Sequence, residues 1–565
     1  MERRTSSAIR LVSFVTVIAL VSSVATTNAD FIFGTPTEVP NVNSPSDDIQ
    51  PDITADGLSL YFVSSRPYET SYLDVSRLDI WVATRETTDD DWGAPVRLGP
   101  PVNTSACEVD PSVSTDGLEL YFCDGVMNFS GYTRPGGYGD VDIWVSTRAT
   151  VDDPWGEPQN LGPIVNTSRF EGDPEISGDG LSLFFHGHRP GGYGTCDIWV
   201  TTRATREDDW GPPLNLGPAV NSSSGEIDPG ISPDGLAFFF CASRVGGYGA
   251  GDIWLAARAS SSMPWELPIN LGPLVNTFID EADPSISADA RTLYFDRGVW
   301  PTGSTWDLWQ APIIPIVDFN GDGTVDSTEV YIMVDHWDAR ESLCDIAPMP
   351  WGDGIVDVED LRVLAEYMDE PVDDPTLIAH WALDETEDDI AYDSACENDA
   401  VLLGGATWQP EGGTVAGALE FKGVDGWVDT PSVLNPADGP FSVLLWVKGD
   451  TAGQVMLSQS GGHDWLLTDA SGVLMTDLKG TGRKAKALYS QTVITDGQWH
   501  RVGLTWDGLN RGLCVDGVMV AEDEPSLLPD IRVGLHIGCG ANLEPGSFFS
   551  GLIDDVRIYK RTVRP

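Results

Sequence analysis

The chain is short of positive charge. It carries 32 Lys and Arg against 87 Asp and Glu, a formal net charge of −55 over 565 residues. Such a surface repels phosphate backbones and anionic bilayers, which excludes nucleic acid and acidic membrane faces as direct partners and favours cations. The acids are spread along the chain, as in acidic folded domains, and do not form one run. Beyond Asp30 no apolar stretch approaches the length that crosses a bilayer, so no membrane span is expected. The eight cysteines (Cys107, Cys123, Cys196, Cys241, Cys344, Cys396, Cys514 and Cys539) include no close pair and no Cys-x-x-Cys, which argues against a zinc site built on thiolates. Enzyme signatures are also lacking. There is no Gly-x-Ser-x-Gly elbow, no His-Glu-x-x-His and no phosphate-binding glycine loop. Only seven histidines occur; His186 and His188 share a strand face, with no third ligand in view.

At the N-terminus, Arg3, Arg4 and Arg10 precede an apolar stretch from Leu11 to about Ala25, followed by Thr27-Asn28-Ala29. This reads as an export signal (1–29) cleaved near Ala29, and predicts a secreted, cell-surface or periplasmic protein. The 60 Gly, 39 Pro and 20 Trp at 41% hydrophobic content fit turn-rich, mainly β structure in several domains.

Between residues 30 and 314 one unit recurs five times. Its third strand carries Asp79-Ile80-Trp81, Asp142-Ile143-Trp144, Asp197-Ile198-Trp199, Asp252-Ile253-Trp254 and Asp307-Leu308-Trp309. A closing segment follows, opened by Trp92, Trp155, Trp210 and Trp265 with Pro three residues on, and ending in Val-Asn. No such segment follows Trp309, but Phe33-Gly34-Thr35-Pro36 through Asn41-Val42-Asn43 supplies one ahead of the first unit. A period of roughly 55–63 residues with alternating strands such as Leu58-Ser59-Leu60-Tyr61-Phe62 predicts one four-stranded blade per unit, hence a five-bladed β-propeller closed by its own N-terminus. The run from Asp110 to Phe122 (Asp-Pro-x-x-Ser-x-Asp-Gly-x-x-Leu-x-Phe) and its copies resemble the WD40-like PD40 repeats of TolB-type propellers. That resemblance implies the fold and leaves function open, since such propellers serve as protein platforms, adaptors and gating domains.

Each unit opens on acid-x-acid-Pro. Asp48, Glu108, Glu171, Glu226 and Glu281 stand three residues before the Pro, and Gln50, Asp110, Asp173, Asp228 and Asp283 one before it. Residues two apart on a strand share a face. If this strand is the innermost of each blade, as the resemblance implies, up to nine carboxylates converge on one mouth of the channel, where they cannot all stay ionised and unpaired. Two readings follow: a cation or cationic ligand at that mouth, or blade-to-blade salt bridges with the equally repeated Arg66, Arg134, Arg189, Arg244 and Arg297. The second is favoured, because a feature copied in every repeat is usually needed by the repeat.

From Asp318 the run Asp-Phe-Asn-Gly-Asp-Gly-Thr-Val-Asp-Ser-Thr-Glu places oxygen ligands Asp318, Asn320, Asp322, Asp326 and Glu329 at calcium-loop positions one, three, five, nine and twelve, with the Thr324 carbonyl at seven. Val330, Met333, Val334 and Trp337 then recur at helical spacing. A second, damaged loop offers Asp353, Ile355 (by its carbonyl), Asp357 and Asp360; Met349 and Trp351 stand where oxygens belong, leaving Asp345 as a substitute ligand. Two loop–helix units over 315–372 resemble a dockerin module of type I. The resemblance implies calcium as cofactor and a cohesin-type partner facing Ser327 and Thr328 of the first loop and Val358 and Glu359 of the second, although Val358-Glu359 departs from the family's pattern. A calcium-stiffened spacer is the alternative.

From 377 to 565 short strands are separated by Gly and Asp turns: Trp381-Ala382-Leu383-Asp384, Gly417 to Phe421, Phe441 to Val447, Trp499-His500-Arg501-Val502, Cys514-Val515-Asp516-Gly517, and Phe549 to Tyr559. In this order they resemble the laminin-G-like, concanavalin A-like jelly rolls. That implies two packed antiparallel sheets, a glycan or protein ligand, and a calcium near Asp384 and Asp554; ordinary turn aspartates are the plainer reading. Trp408, Trp427 and Trp465 are candidates to stack on a sugar. The sequence thus points to an exported, calcium-stabilised binding protein with no assigned catalytic residue. A propeller glycoside hydrolase, needing only two or three carboxylates, and a purely structural surface protein are the alternatives.

Overall fold

In a computed structural model, the Asp-Ile-Trp triplets lie on the third strand of five antiparallel sheets. The described residues are 31–67, 78–125, 133–258, 260–299, 306–338, 344–347, 355–368, 372, 374–481, 486–525 and 527–563; the export signal, Asp353, Met349 and Trp351 lie outside them. Blade 1 runs Asp48–Ile53, Ser59–Ser64, Asp79–Thr84, Val96–Arg97, and blades 2 to 4 repeat that order. Among the described residues, blade 5 supplies three strands of its own, Asp280–Ile286, Thr292–Gly298 and Asp307–Pro315. The N-terminal segment completes it: Thr37 and Glu38 pair with Gln310 and Trp309, and Phe31–Phe33 with Ile313 to Pro315. The innermost strand of each blade contacts those of both neighbours, the fifth meeting the first. The fold is therefore a five-bladed β-propeller.

The repeated Asn at the end of each unit shows how the ring is locked. Asn103 Oδ1 accepts from Ile80 N–H at 3.0 Å while its Nδ2 donates to Ile80 O at 2.8 Å, so the side chain extends the ladder where the backbone leaves it. Asn166, Asn221 and Asn276 do the same to Ile143, Ile198 and Ile253. Asn43, from the other end of the chain, makes the identical pair with Leu308. The Asp of Asp-Ile-Trp instead holds a loop, since Asp142, Asp197 and Asp252 accept from the backbone of the Gly-Gly-Tyr-Gly segment. A Cβ on Gly192 would sit 1.5 Å from that carboxylate, which is why the loop needs glycine there.

Two nine-residue helices, α1 (Ser327–Asp335) and α2 (Val358–Glu366), pack around Met333, Leu364, Val325 and Val356. Beyond them lies a jelly roll of two eight-stranded sheets. One centres on Ser550–Tyr559 and Phe441–Gly449, the other on Leu535–Ile537 and Val455–Gln459. Their inner faces share one core that includes Trp381 and Trp465, both fully buried. Trp465 is therefore a packing residue and not a sugar platform. Trp427 and Trp408 are half-buried.

Candidate functional site

The two repeated acids of each blade separate in the structure. Every innermost strand has a bulge at its acid-Pro step, seen as a register shift between Ile49 and Asp52, Val109 and Ser112, Gly172 and Glu175, Ile227 and Gly230, and Ala282 and Ser285. At that step Gln50, Asp110, Asp173, Asp228 and Asp283 adopt positive φ of 49–57°, which is unusual for a non-glycine residue and costly before proline. The bulge breaks the alternation, so acids two apart no longer share a face.

Consequently Asp48, Glu108, Glu171, Glu226 and Glu281 do not reach the channel mouth, contrary to the strand-periodicity expectation. They are fully buried and paired with Arg66, Arg134, Arg189, Arg244 and Arg297 at 2.5–3.4 Å. They also accept bonds from the Ser or Thr four residues earlier, as in Thr104 N to Glu108 at 2.9 Å. The pairs lie within single blades, not between blades. The link to the neighbour comes from the same guanidinium, which also donates to the carbonyl of the preceding segment, as Arg297 does to Val275 O at 2.7 Å. Each guanidinium lies over a Phe and a Trp of its own blade, Arg244 over Phe240 and Trp254 at 4.8 and 5.8 Å.

The inner acids do converge. Asp110, Asp173, Asp228, Asp283 and Gln50, with Asp52 and Glu175 one step further along, line a partly open axial cavity of about 30 Å³. At about 10–15 Å³ for one water, it has room for an ion or a couple of waters and is too small to enclose a pyranose ring. Neighbouring blades are linked here: Gln50 Oε1 accepts from Asp110 N at 3.2 Å, Asp110 Oδ2 from Asp173 N at 3.3 Å, and Asp296 Oδ2, on the second strand of blade 5, from Gln50 N at 2.8 Å. Burial raises the pKa of Asp110, Asp173, Asp228 and Asp283, and repulsion between neighbouring carboxyls raises Asp110, Asp173 and Asp283 further. Burial likewise pushes Asp296 and Glu175 up to about 7.

One imidazole joins them. His186 is 3% exposed and stands on the second strand of blade 3, opposite Gly172. Its Nδ1 lies 2.5 Å from Asp173 Oδ2, close enough for an ion pair, yet neither ring nitrogen makes a hydrogen bond of acceptable geometry. Asp110 Oδ1 and Asp296 Oδ1 are buried without a partner as well. For His186, burial is the largest influence and lowers the pKa, but Cys196, Asp228 and Asp110 together outweigh it and leave it raised. His188, by contrast, packs at the rim against Phe170, 5.9 Å between centroids. Sequence reasoning missed Asp296, Asp52 and Glu175. Asp296 occupies the second-strand position held by Val63, Cys123, His186 and Cys241 in the other blades, so aligning that column exposes both it and His186.

In the helical module, Asp318 and Glu329 are buried. Asp318 accepts from Gly321, Asp322 and Gly323 N–H at 2.7–3.1 Å, and Asn320 and Asp322 lie in the same turn. Glu329 Oε2 closes a capping box on Asp326, whereas Oε1 is buried and unpartnered, and burial pushes the Glu329 carboxyl up to about 7. Thr324 is exposed, and Ser327 and Thr328 lie exposed on the first turn of α1. On α2, Val358 and Glu359 are exposed, Asp357 caps the helix, and Asp360 accepts from Ile346, Ala347 and Asp357 N–H. Asp345 is buried and Ile355 exposed. In the jelly roll, Asp384 and Asp554 meet one loop: Gly417 N donates to Asp384 Oδ1, and Thr414 and Val415 N to Asp554 Oδ2, while Asp554 Oδ1 is buried and unpartnered.

Residues 422–565 match the concanavalin A-like lectin/glucanases superfamily, in agreement with the two-sheet architecture. No curated protein matches the chain. Among solved structures, Trypanosoma rangeli sialidase in complex with the inhibitor DANA is similar at 14% identity and a TM-score of 0.38, over 92% of each chain. Domain 4 of AbnA, a GH43 extracellular arabinanase from Geobacillus stearothermophilus in complex with arabinotriose, is similar at 17% identity and a TM-score of 0.25, over 33% of this chain and 94% of that one. Likeness at such TM-scores carries no argument about activity.

Proposed function

We propose that the protein is an exported, calcium-stabilised binding protein without catalytic activity, in which the jelly roll takes a glycan or protein ligand and the PD40-type propeller is the platform. The observation that carries this reading is the division of the carboxylates: those of the outer ring are consumed by arginines, and those of the inner ring face a cavity too small for a sugar ring. Neither ring offers the exposed acid pair that glycoside hydrolysis needs. The concanavalin A-like domain then carries recognition, with half-buried Trp427 available to a pyranose face.

The dockerin-like module is, on this reading, a calcium-stiffened connector. Its fit to calcium rests on the buried, unpartnered Oε1 of Glu329 near Asp318, since a buried carboxylate oxygen without a donor calls for a cation. Asp318, Asn320, Asp322, the Thr324 carbonyl, Asp326 and Glu329 would hold the ion. The back of the same loop is fastened to the jelly roll: Arg501 donates to Asn320 O and Gly321 O at 2.9 and 2.7 Å, and Tyr559 Oη to Gly321 O at 3.1 Å. That docking favours the connector over a free cohesin-binding module.

A glycan array probed with the full mature chain should give hits in calcium that fall about 10-fold or more in Trp427→Ala, the loss of one stacking aromatic being worth of order 1.5 kcal/mol. Hydrolysis of a retained polysaccharide by the same preparation would overturn the non-catalytic reading.

A further inference from the structure

We infer that His186, Asp173 and Asp228 form a centre for one divalent first-row metal ion of the zinc class on the propeller axis, with Asp110 and Asp283 closing its other side. One imidazole nitrogen and one carboxylate oxygen from each of Asp173 and Asp228 lie within 4.8 Å of one another, and oxygens of Asp110, Asp173 and Asp283 form a second such group sharing Asp173. Small side-chain rotations bring ligands at these separations to metal bonds of about 2.0–2.2 Å.

Acidic residues gathered at an axis do not by themselves make a site. The independent observation is His186, 3% exposed, whose Nδ1 stands 2.5 Å from Asp173 Oδ2 and whose Nε2 is buried without a hydrogen-bond partner, together with the unpartnered Oδ1 atoms of Asp110 and Asp296. Buried polar atoms are nearly always paired. A neutral imidazole nitrogen and ionised carboxylates are all lone-pair donors, and a cation is the partner they can share. The axial cavity beside the imidazole, about 30 Å³ and lined by Asp110, Asp173, Asp228 and Asp283, has room for an ion. Calcium prefers six to eight oxygens, whereas an imidazole ligand with two carboxylates suits zinc and its neighbours.

Blade 3 is also built for this histidine. The residue facing it is Gly172, where the other blades have Ile49, Val109, Ile227 and Ala282. A Cβ there would meet the Phe170 ring at 2.5–2.6 Å. Its absence lets Phe170 stack on His186, with centroids 5.0 Å apart and planes 19° off parallel, which fixes the ring toward the acids. Packing needs common to all blades would be copied in all; this pair is confined to one. Similarly, the second-strand position is small and apolar in blade 1 and a cysteine in blades 2 and 4, so only blade 3 presents an imidazole.

The test uses the full mature chain, stripped with a chelator and returned to excess calcium so that oxygen-only sites are occupied. Titration calorimetry with Zn²⁺, and visible absorption on adding Co²⁺, should show one ion per chain. His186→Val installs the residue blade 1 already carries, and Asp228→Asn keeps shape; each should weaken zinc binding about 100-fold or more, since even outer-shell changes cost 10–100-fold. Asp318→Ala should leave it unchanged. Thermal unfolding of the metal-free variants checks folding, and if His186→Val does not fold, Asp228→Asn decides. No stoichiometric zinc or cobalt uptake by the wild type, or equal affinity in a folded variant, would overturn the inference and leave the axis a protonated carboxyl network. Neither result touches the glycan reading, which the array tests separately.

Discussion

Two rings of carboxylates lie two residues apart on the same five strands, and they are treated in opposite ways. In the outer ring each acid is fully buried and meets an arginine, which is itself held over aromatic rings. In the inner ring, Asp110, Asp173, Asp228 and Asp283 meet mainly one another, with a single imidazole among them. The arginine is part of the repeat and so arrives in every blade; the histidine is not, and arrives once. A buried charge with a dedicated partner reads as architecture, and a group of buried charges sharing one small cavity reads as a site.

The largest effect should come from breaking the outer ring. Arg244→Ala leaves Glu226 fully buried without its guanidinium and should lower propeller stability by about 3–5 kcal/mol. Scanning calorimetry would show this as a lowered propeller transition. A shift worth under about 1 kcal/mol would mean that the Ser222 bonds to Glu226 suffice and that the outer pairs are not what holds the blade.

Neutralising a buried carboxyl beside the inner ring should act in the opposite direction. Asp296→Asn can still accept from Gln50 N–H while removing one buried carboxyl whose pKa is raised by burial. At neutral pH and without metal it should stabilise the propeller by about 1–2 kcal/mol, because removing a buried unpaired charge relieves its desolvation. Destabilisation of the metal-free protein by the same change would place Asp296 with the structural acids and erase the contrast.

How much of this contrast the sequence carries can be followed residue by residue. The repeat, its closure by Phe33 to Asn43 and the two-sheet jelly roll are legible, because each is written as a periodic pattern with turn residues between strands. The Val-Asn ending is legible as a motif, but not its bidentate bond to Ile80 and its equivalents, which depends on where the chain doubles back. The separation of the two acid rings is not legible at all: strand periodicity places Glu171 and Asp173 on one face, and only the left-handed backbone of Asp173 before Pro174 turns them apart. Conversely, His186 and Asp296 are visible as departures in one aligned column, and Gly172 as the compensating departure opposite His186. Nothing in that column says that both project onto the axis. Trp465 shows the ordinary limit, since an aromatic in a jelly-roll strand looks the same in sequence whether it faces the core or a ligand.

The joint repeats the contrast on a smaller scale. Glu329 is buried with one oxygen unpartnered, and the loop it serves is bonded from behind by Arg501. Arg501→Ala frees two loop carbonyls and should weaken calcium binding several-fold, by about 1–2 kcal/mol, by loosening the loop that presents Asn320 and Asp322. Calorimetry on the intact chain reads this directly. Unchanged affinity would mean that the loop is ordered by its own turns and that docking to the jelly roll is incidental.

On its other side the module meets the propeller through Arg291 and Glu366, paired at 2.5 Å but with side chains 42% and 51% exposed. Water screens such a pair and competes for both groups, so its worth is of the order of 0–1 kcal/mol, and the ordering of two long side chains offsets part of that. Arg291→Ala should therefore change stability by no more than about 0.5 kcal/mol and leave calcium affinity untouched, in contrast to Arg501→Ala. If it instead lowered calcium affinity as much as Arg501→Ala does, the propeller would share control of the loop. The connector would then transmit strain in both directions rather than standing as part of the jelly roll. The contrast between the two arginines is informative because both reach the same small module, one by bonds to carbonyls of the buried loop and the other by an exposed ion pair on α2.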